Sequence, residues 1–193
     1  MLLPATRQPT ICARFVVFKR FILTVMLESS VGKPELAGLA FRKSAGYTKQ
    51  MASVHDVAKY ILEQQGEMPA VKLQKLVYYS QAWHLVWADK PLFPERIEAW
   101  ANGPVAPDLY AGHRGSYSVS KWRKGDIGNL TATERRSIDA ILSNYGNKTA
   151  FWLSELSHQE APWRTAREGL APGERGSQGI TKATMAEYYG SLV

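Results

Sequence analysis

After residue 50, apolar residues return every three or four positions along most of the chain, the rhythm of helices that each bury one face. Ser53-Val-His-Asp56 sets an N-cap serine three residues ahead of an acid, a near relative of the capping box. Val54, Val57, Ala58, Ile61 and Leu62 form a single stripe behind it, and Gly66 predicts the stop. Pro69 suits the first turn of a longer helix to about Asp89. Leu73, Leu76, Ser80, Trp83 and Trp87 line one side of that helix, with Val77 and His84 close by. Lys72, Gln74 and Lys75 are assigned to its other side. Both helices read as amphipathic, so each needs a surface to cover its stripe.

The pattern breaks between Lys90 and Tyr117. Pro91, Pro94, Pro104 and Pro107 exclude a long helix there. Ile97 to Trp100 alternates as a short strand, Asn102-Gly-Pro104 reads as a turn, and Val105 to His113 as a short helix begun by prolines. Gly112, Gly115, Gly125 and Gly128 mark a polar, exposed loop.

Helical signals then return. Thr131-Ala-Thr-Glu134 is a full capping box ahead of Ile138, Ile141, Leu142 and Tyr145, with Gly146 at the end. Ala150 to Ser157 makes a short helix through Phe151, Leu153 and Leu156. Ser157-His-Gln-Glu160 reads as a second capping box, opening a helix that carries Trp163 and stops near Gly169. Leu170 to Ile180 is a glycine-rich loop, and Thr181 caps a last helix through Met185, Tyr188, Tyr189 and Leu192. The expected fold is mainly α, one compact domain of six to seven helices, with at most a short strand or hairpin around residues 96–101.

Charge divides the chain in two. Residues 1–50 hold 8 Lys+Arg against 2 Asp+Glu, whereas residues 51–193 hold 16 against 15. The formal +7 therefore belongs almost wholly to the first quarter, and nucleic acid is not expected as a partner of residues 51–193. The apolar run from Ile11 to Leu27 is interrupted by Arg14, Lys19 and Arg20, far from the ~20 apolar residues a membrane span requires. It also lacks a clean signal-peptide cleavage site. Residues 1–50 are read as a disordered or non-native basic extension, with Met51 as a natural start; the competing reading is a basic amphipathic segment that touches membrane or nucleic acid. One cysteine, Cys12, excludes a disulfide framework within the chain and favours a reducing, cytoplasmic setting.

Chemistry leaves few traces. The glycine-rich phosphate loops, His-Glu-x-x-His and Gly-x-Ser-x-Gly are missing. His55, His84, His113 and His158 stand 29, 29 and 45 residues apart, without local metal spacing. No cofactor, metal or catalytic residue is expected. His84 reads as a core histidine, and His158 with Glu160 as capping residues in preference to an acid–base pair. Lys121, Arg123 and Lys124 around Trp122 imitate a base-stacking platform but read as a solvated face. The aromatics carry more: Tyr78, Tyr79, Trp83 and Trp87 alternate around one helix, followed by Trp100, Tyr110, Trp152 and Trp163. Either they build a Trp-rich core, or rings left over on the surface serve a partner as anchors.

Lys72-Leu-Gln-Lys-Leu-Val-Tyr-Tyr-Ser-Gln-Ala-Trp-His-Leu85, Pro91-Leu-Phe93 and Ile97-Glu-Ala-Trp-Ala-Asn-Gly-Pro-Val105 strongly resemble the Panacea domain family of SocA-like and GepA-like proteins of bacteria, prophages and mobile elements. Pro107-Asp-Leu-Tyr110 and Leu153-Ser-Glu-Leu-Ser-His-Gln-Glu-Ala-Pro-Trp163-Arg164 continue the resemblance, which spans about residues 53–192. It implies an antitoxin-like protein that neutralises a toxin encoded beside it, with presentation to a ClpXP-type protease as one route and no catalysis. The toxin's identity does not carry over. A nucleic-acid-binding regulator of a mobile element or prophage and an enzyme are the competing classes; steeply salt-dependent DNA binding by residues 51–193 would favour the first, and His84, His158 and a carboxylate sharing one pocket the second. The candidate contact residues are Tyr79, Trp83 and Trp87 with the Asn102, Gly103 and Pro104 turn, and secondly His158, Glu160, Trp163 and Arg164.

Overall fold

The computed structural model describes residues 51–193. The readings of residues 1–50, including the extension and its boundary at Met51, lie outside the described residues. Among the described residues there are seven α-helices, one 3-10 turn and five very short strands, and no helix is long and apolar enough to cross a membrane.

Helix α1 (Val54–Gln65) begins as its sequence dictates. The Ser53 hydroxyl accepts from the Asp56 amide at 3.3 Å, and the Asp56 carboxylate accepts from the Ser53 amide at 2.7 Å. Asp56 also accepts from the backbone of Asp126 and the side chain of Asn129, so one residue caps α1 and anchors the 3-10 turn Ile127–Asn129. Burial works against its ionisation, but the hydrogen bonds from Ser53 and Asp126 prevail and hold its carboxyl below the ordinary value. Val54, Val57, Ala58, Ile61 and Leu62 are all buried, as the stripe requires.

Helix α2 (Ala70–Ala88) is the axis of the fold. Pro69 stands at its N-cap and Asp89 ends it in the left-handed region (φ 51°). It packs against α1, α4 (Ala132–Tyr145), α5 (Ala150–Gln159), α7 (Lys182–Gly190) and strand β3 (Gly103–Val105). Elements surround it on every side, and each residue from Leu73 to Leu85 is buried. This corrects the amphipathic reading. From Leu73 to Leu85 the helix has no solvent face, and Gln74 and Lys75, which their polarity would place in water, lie inside.

The predicted hairpin forms: β2 (Ile97–Trp100) pairs antiparallel with β3, with Glu98 opposite Val105 and Trp100 opposite Gly103. Strand β5 (Gly179–Ile180) joins the other edge of β2, and β1 (Met68–Pro69) pairs with β4 (Ser118–Val119). These two-residue pairings add to the expected hairpin. Pro107 opens α3 (Pro107–His113) at its first turn. The loop expected to be polar and exposed instead carries β4 and a buried ring, Trp122, stacked on His55 with centroids 5.7 Å apart.

Thr131 and Glu134 make the full capping box predicted for α4. The second predicted box does not form. Ser157 and His158 lie inside α5, whose cap is Thr149, and Glu160 joins α5 to α6 (Ala161–Ala166) without a side-chain cap bond. The helical phase set by Leu153 and Leu156 runs on through Ser157, so α6 starts only where Pro162 permits a new first turn. Thr181 caps α7 as expected.

Candidate functional site

Three polar side chains of α2 grip the backbone of neighbouring segments. The Gln81 amide accepts from the Leu92 and Phe93 N–H groups at 2.8 and 3.1 Å and donates to the Phe93 carbonyl at 3.0 Å. Gln74 accepts from the Ala106 amide at 2.9 Å, and its amide nitrogen lies 2.9 Å from Nε2 of His113. With Gln74 donating, that Nε2 is the acceptor, which places the His113 proton on Nδ1; burial, which lowers its pKa, fits the neutral ring. Lys75, only 1% exposed, donates to the carbonyls of Asn102 at 2.7 Å and Pro104 at 3.1 Å.

The turn is fitted to that lysine. Gly103 adopts φ 98°, and a Cβ there would stand 2.6 Å from Lys75 Nζ and 2.8 Å from Ser157 Oγ, so only glycine lets the backbone come so close. Burial pushes the Lys75 ammonium down to about 7.

The hairpin is held from its other side as well. Trp163 Nε1 donates to the Trp100 carbonyl at 2.9 Å and Arg167 to the Ala99 carbonyl at 3.0 Å, while the Arg167 guanidinium lies 5.2 Å from the Trp163 ring centroid. His158 stacks on Trp163 with centroids 4.3 Å apart. Burial, then the charge of Lys75, lowers the His158 pKa, so its approach to Glu155 at 3.6 Å is not an ion pair near neutral pH. Thus the Asn102-Gly103-Pro104 turn of one predicted cluster and Trp163 of the other meet at one hairpin, in which Asn102 is exposed and Gly103 and Pro104 are buried.

Beside this hairpin opens a cleft of about 720 Å³, between the start of α2, the end of α3 and residues 175–177. Trp100 and Tyr110 pack edge to face within its lining, 4.8 Å between centroids, and Val71 stands exposed. Lys75, Glu98, Arg114 and Arg175 bring charge to it. Its size suits several side chains of a partner.

Other predicted anchors are placed differently. Tyr79 and Trp83 are 0% exposed, which corrects their reading as surface rings: so many elements pack on α2 that nothing is left over. Trp87 is half-buried and stacks on Trp83 at 5.4 Å. Glu160 is buried too, accepting from Tyr79 at 3.1 Å and Tyr189 at 2.7 Å, while the Tyr189 and Tyr78 hydroxyls lie 3.2 Å apart. Burial pushes its carboxyl up to about 8 despite those two hydrogen bonds. Arg164 is exposed and Trp163 half-buried. Among the described residues the rings that face solvent most are Tyr117 (87% exposed), Phe151 (75%) and Trp152. Sequence reasoning passed over Tyr117 and set Phe151 in one series with Leu153 and Leu156. The signal was there: Phe151 precedes Leu153 by two positions, off the stripe that Leu153 and Leu156 share.

His84 is fully buried, with Nδ1 2.8 Å from the Ser137 hydroxyl and, among the described residues, no hydrogen-bond partner for Nε2. Among the described residues no group of three or more His, Cys, Asp and Glu side chains is arranged to hold a metal. Trp122 is turned inward between His55 and His113, so Lys121, Arg123 and Lys124 remain in solvent without the ring that a stacking platform needs.

The hairpin, the helix that grips it and the tryptophan behind it fall within one stretch of chain. Residues 73–164 match the family model of the antitoxin SocA-like, Panacea domain. This is the family that the sequence motifs resemble. The Panacea match begins inside α2 and ends inside α6, so it includes the hairpin and α3, while α1 and α7, which pack on α2, lie outside it. It supports an antitoxin-type role. No curated protein and no solved structure gives a match.

Proposed function

We propose that this protein binds and neutralises a cognate toxin by direct protein–protein contact, without transforming any substrate. The match of residues 73–164 to a SocA-like antitoxin domain carries the reading. An antitoxin needs no reacting group; it needs a rigid surface with anchors and a polar rim. The cleft beside the hairpin has that form, with Trp100, Tyr110 and Val71 as apolar contacts, Asn102 at the turn, and Tyr117 next to the lining residue Ser116. The backbone here is pinned from both sides, by Gln74 and Lys75 and by Trp163 and Arg167, so little conformational entropy is lost on docking. Trp163, with His158 stacked on it, holds the hairpin from behind.

The test is the neighbouring reading frame. Its product should be toxic when expressed alone and harmless when expressed with this protein, and the two purified chains should form a complex. The toxin's half-life separates two modes. Shortening that requires a ClpXP-type protease assigns the adaptor role; an unchanged half-life in a stable complex assigns neutralisation by sequestration. Toxicity that persists beside folded protein overturns the proposal.

A further inference from the structure

We infer that the cleft receives an acidic, partly apolar segment of the partner protein, its carboxylates set against Arg114 and Arg175 above Lys75. The inference rests on the toxin-binding reading and names the chemistry of what docks.

The charge inventory of the lining points there. It holds three basic side chains, Lys75, Arg114 and Arg175, and one acidic one, Glu98. The Glu98 carboxylate is already engaged, by Arg96 at 2.9 Å and by Trp100 Nε1 at 2.7 Å. Among the described residues no carboxylate lies within ion-pair distance of Lys75, Arg114 or Arg175. Among the described residues Lys75 donates to two carbonyls, and an ammonium has three protons to donate. A buried cation without a counter-charge is costly, and an incoming anion lowers that cost. Burial has already drawn the lysine down to about 7, so an anion nearby would hold its proton in place.

The position of this cation is built in, because Gly103, Asn102 and Pro104 close over it and leave no room for a side chain at 103. Arg114 and Arg175 reach the cleft from separate segments, one at the end of α3 and one in the loop before β5, both exposed. Val71, Val105, Trp100 and Tyr110 supply apolar wall to the same cleft. That mixture fits a peptide with alternating acidic and apolar side chains. Nucleic acid fits less well: residues 51–193 carry a net charge of only +1, and the exposed Lys121, Arg123 and Lys124 do not line the cleft.

A synthetic peptide of alternating Glu and Leu, titrated into the full-length protein and followed by NMR, tests this directly. It should shift the resonances of Trp100, Tyr110 and Arg114 and bind more weakly as salt rises. Arg114→Gln with Arg175→Gln should weaken binding about tenfold, whereas Lys121→Gln with Arg123→Gln should leave it unchanged. The same peptide with Lys for Glu should leave the cleft resonances unmoved. If the Glu peptide leaves them unmoved, or binds the Arg114/Arg175 variant equally well, the inference is overturned. It is overturned too if only a single-stranded oligothymidine shifts them, an outcome that assigns the cleft to nucleic acid. Failure with the peptide while the toxin is still neutralised discards the acidic occupant alone; peptide binding without neutralisation discards the toxin reading alone.

Discussion

Replacing Glu160 with glutamine should make the protein more stable at alkaline pH, although it removes a residue with two hydrogen bonds. The carboxyl is 3% exposed and is pushed from 4.5 up to about 8. Between those values the folded chain holds a proton that the unfolded chain has released, so this group's contribution to stability falls as pH rises. At about 1.4 kcal/mol per tenfold change in proton activity, the full window corresponds to roughly 4–5 kcal/mol. Glutamine keeps the shape and a carbonyl to accept from Tyr79 and Tyr189, and it cannot ionise. At pH 5 the two proteins should differ by about 1 kcal/mol or less, in either direction, since both present a neutral group to the tyrosines. Above pH 8 the variant should be ahead by roughly 3–4 kcal/mol. Lys75 supplies the opposite slope in the next window. Its folded value is lowered from 10.5 to about 7, so the unfolded chain holds the extra proton between them and stability from this group rises with pH. Together the two groups place a minimum near pH 7–8, of which the variant keeps only the alkaline limb. Urea unfolding followed by tryptophan fluorescence at pH 5, 6, 7, 8 and 9 measures both slopes. Parallel stability curves for wild type and Glu160→Gln across that range would refute the reasoning, because Glu160 would then ionise normally in the folded state.

Three further outcomes follow from the same contacts. Gln81→Ala strips partners from the Leu92 and Phe93 amides and the Phe93 carbonyl, all buried, and should cost roughly 3–5 kcal/mol in urea unfolding, at 1–3 kcal/mol per orphaned group with partial relaxation. Gly103→Ala should cost about 1–3 kcal/mol from its backbone conformation alone; because its methyl would strike Lys75 Nζ, toxin binding should weaken as well, read by calorimetric titration. Phe151→Ala exposes the opposite case: a ring 75% in solvent should change stability by no more than about 0.5 kcal/mol, so any loss of toxin rescue by that variant would move the contact surface onto α5.

Local chemistry was legible and enclosure was not. Ser53, Thr131 and Thr181 announce their helices because a cap is an interaction over three residues, and Ile97 to Trp100 announces a strand by alternation. Ser157 to Glu160 carries the same cap signature and misleads, since the signature does not reveal that the preceding helix is still running. The deeper miss concerns α2. Polarity places Gln74 and Lys75 in water, yet each finds its hydrogen bonds on a segment about 30 residues away in sequence. A helix with apolar residues on all sides and a few polar ones is the pattern of a central helix, and that reading would have moved Tyr79 and Trp83 inside. The Asn102-Gly-Pro turn was found from its composition. Its partner, a lysine under the glycine, depends on tertiary placement. The cleft, formed by four separated segments, has no local signature at all.

Co-expression with the product of the adjacent reading frame bears most directly on the account. Growth should be restored by the wild-type protein and by the Lys121→Gln/Arg123→Gln variant, and lost again when Arg114 and Arg175 are both replaced by glutamate in a chain that still unfolds cooperatively. A neighbouring product that stays toxic beside abundant, folded wild-type protein would contradict the account.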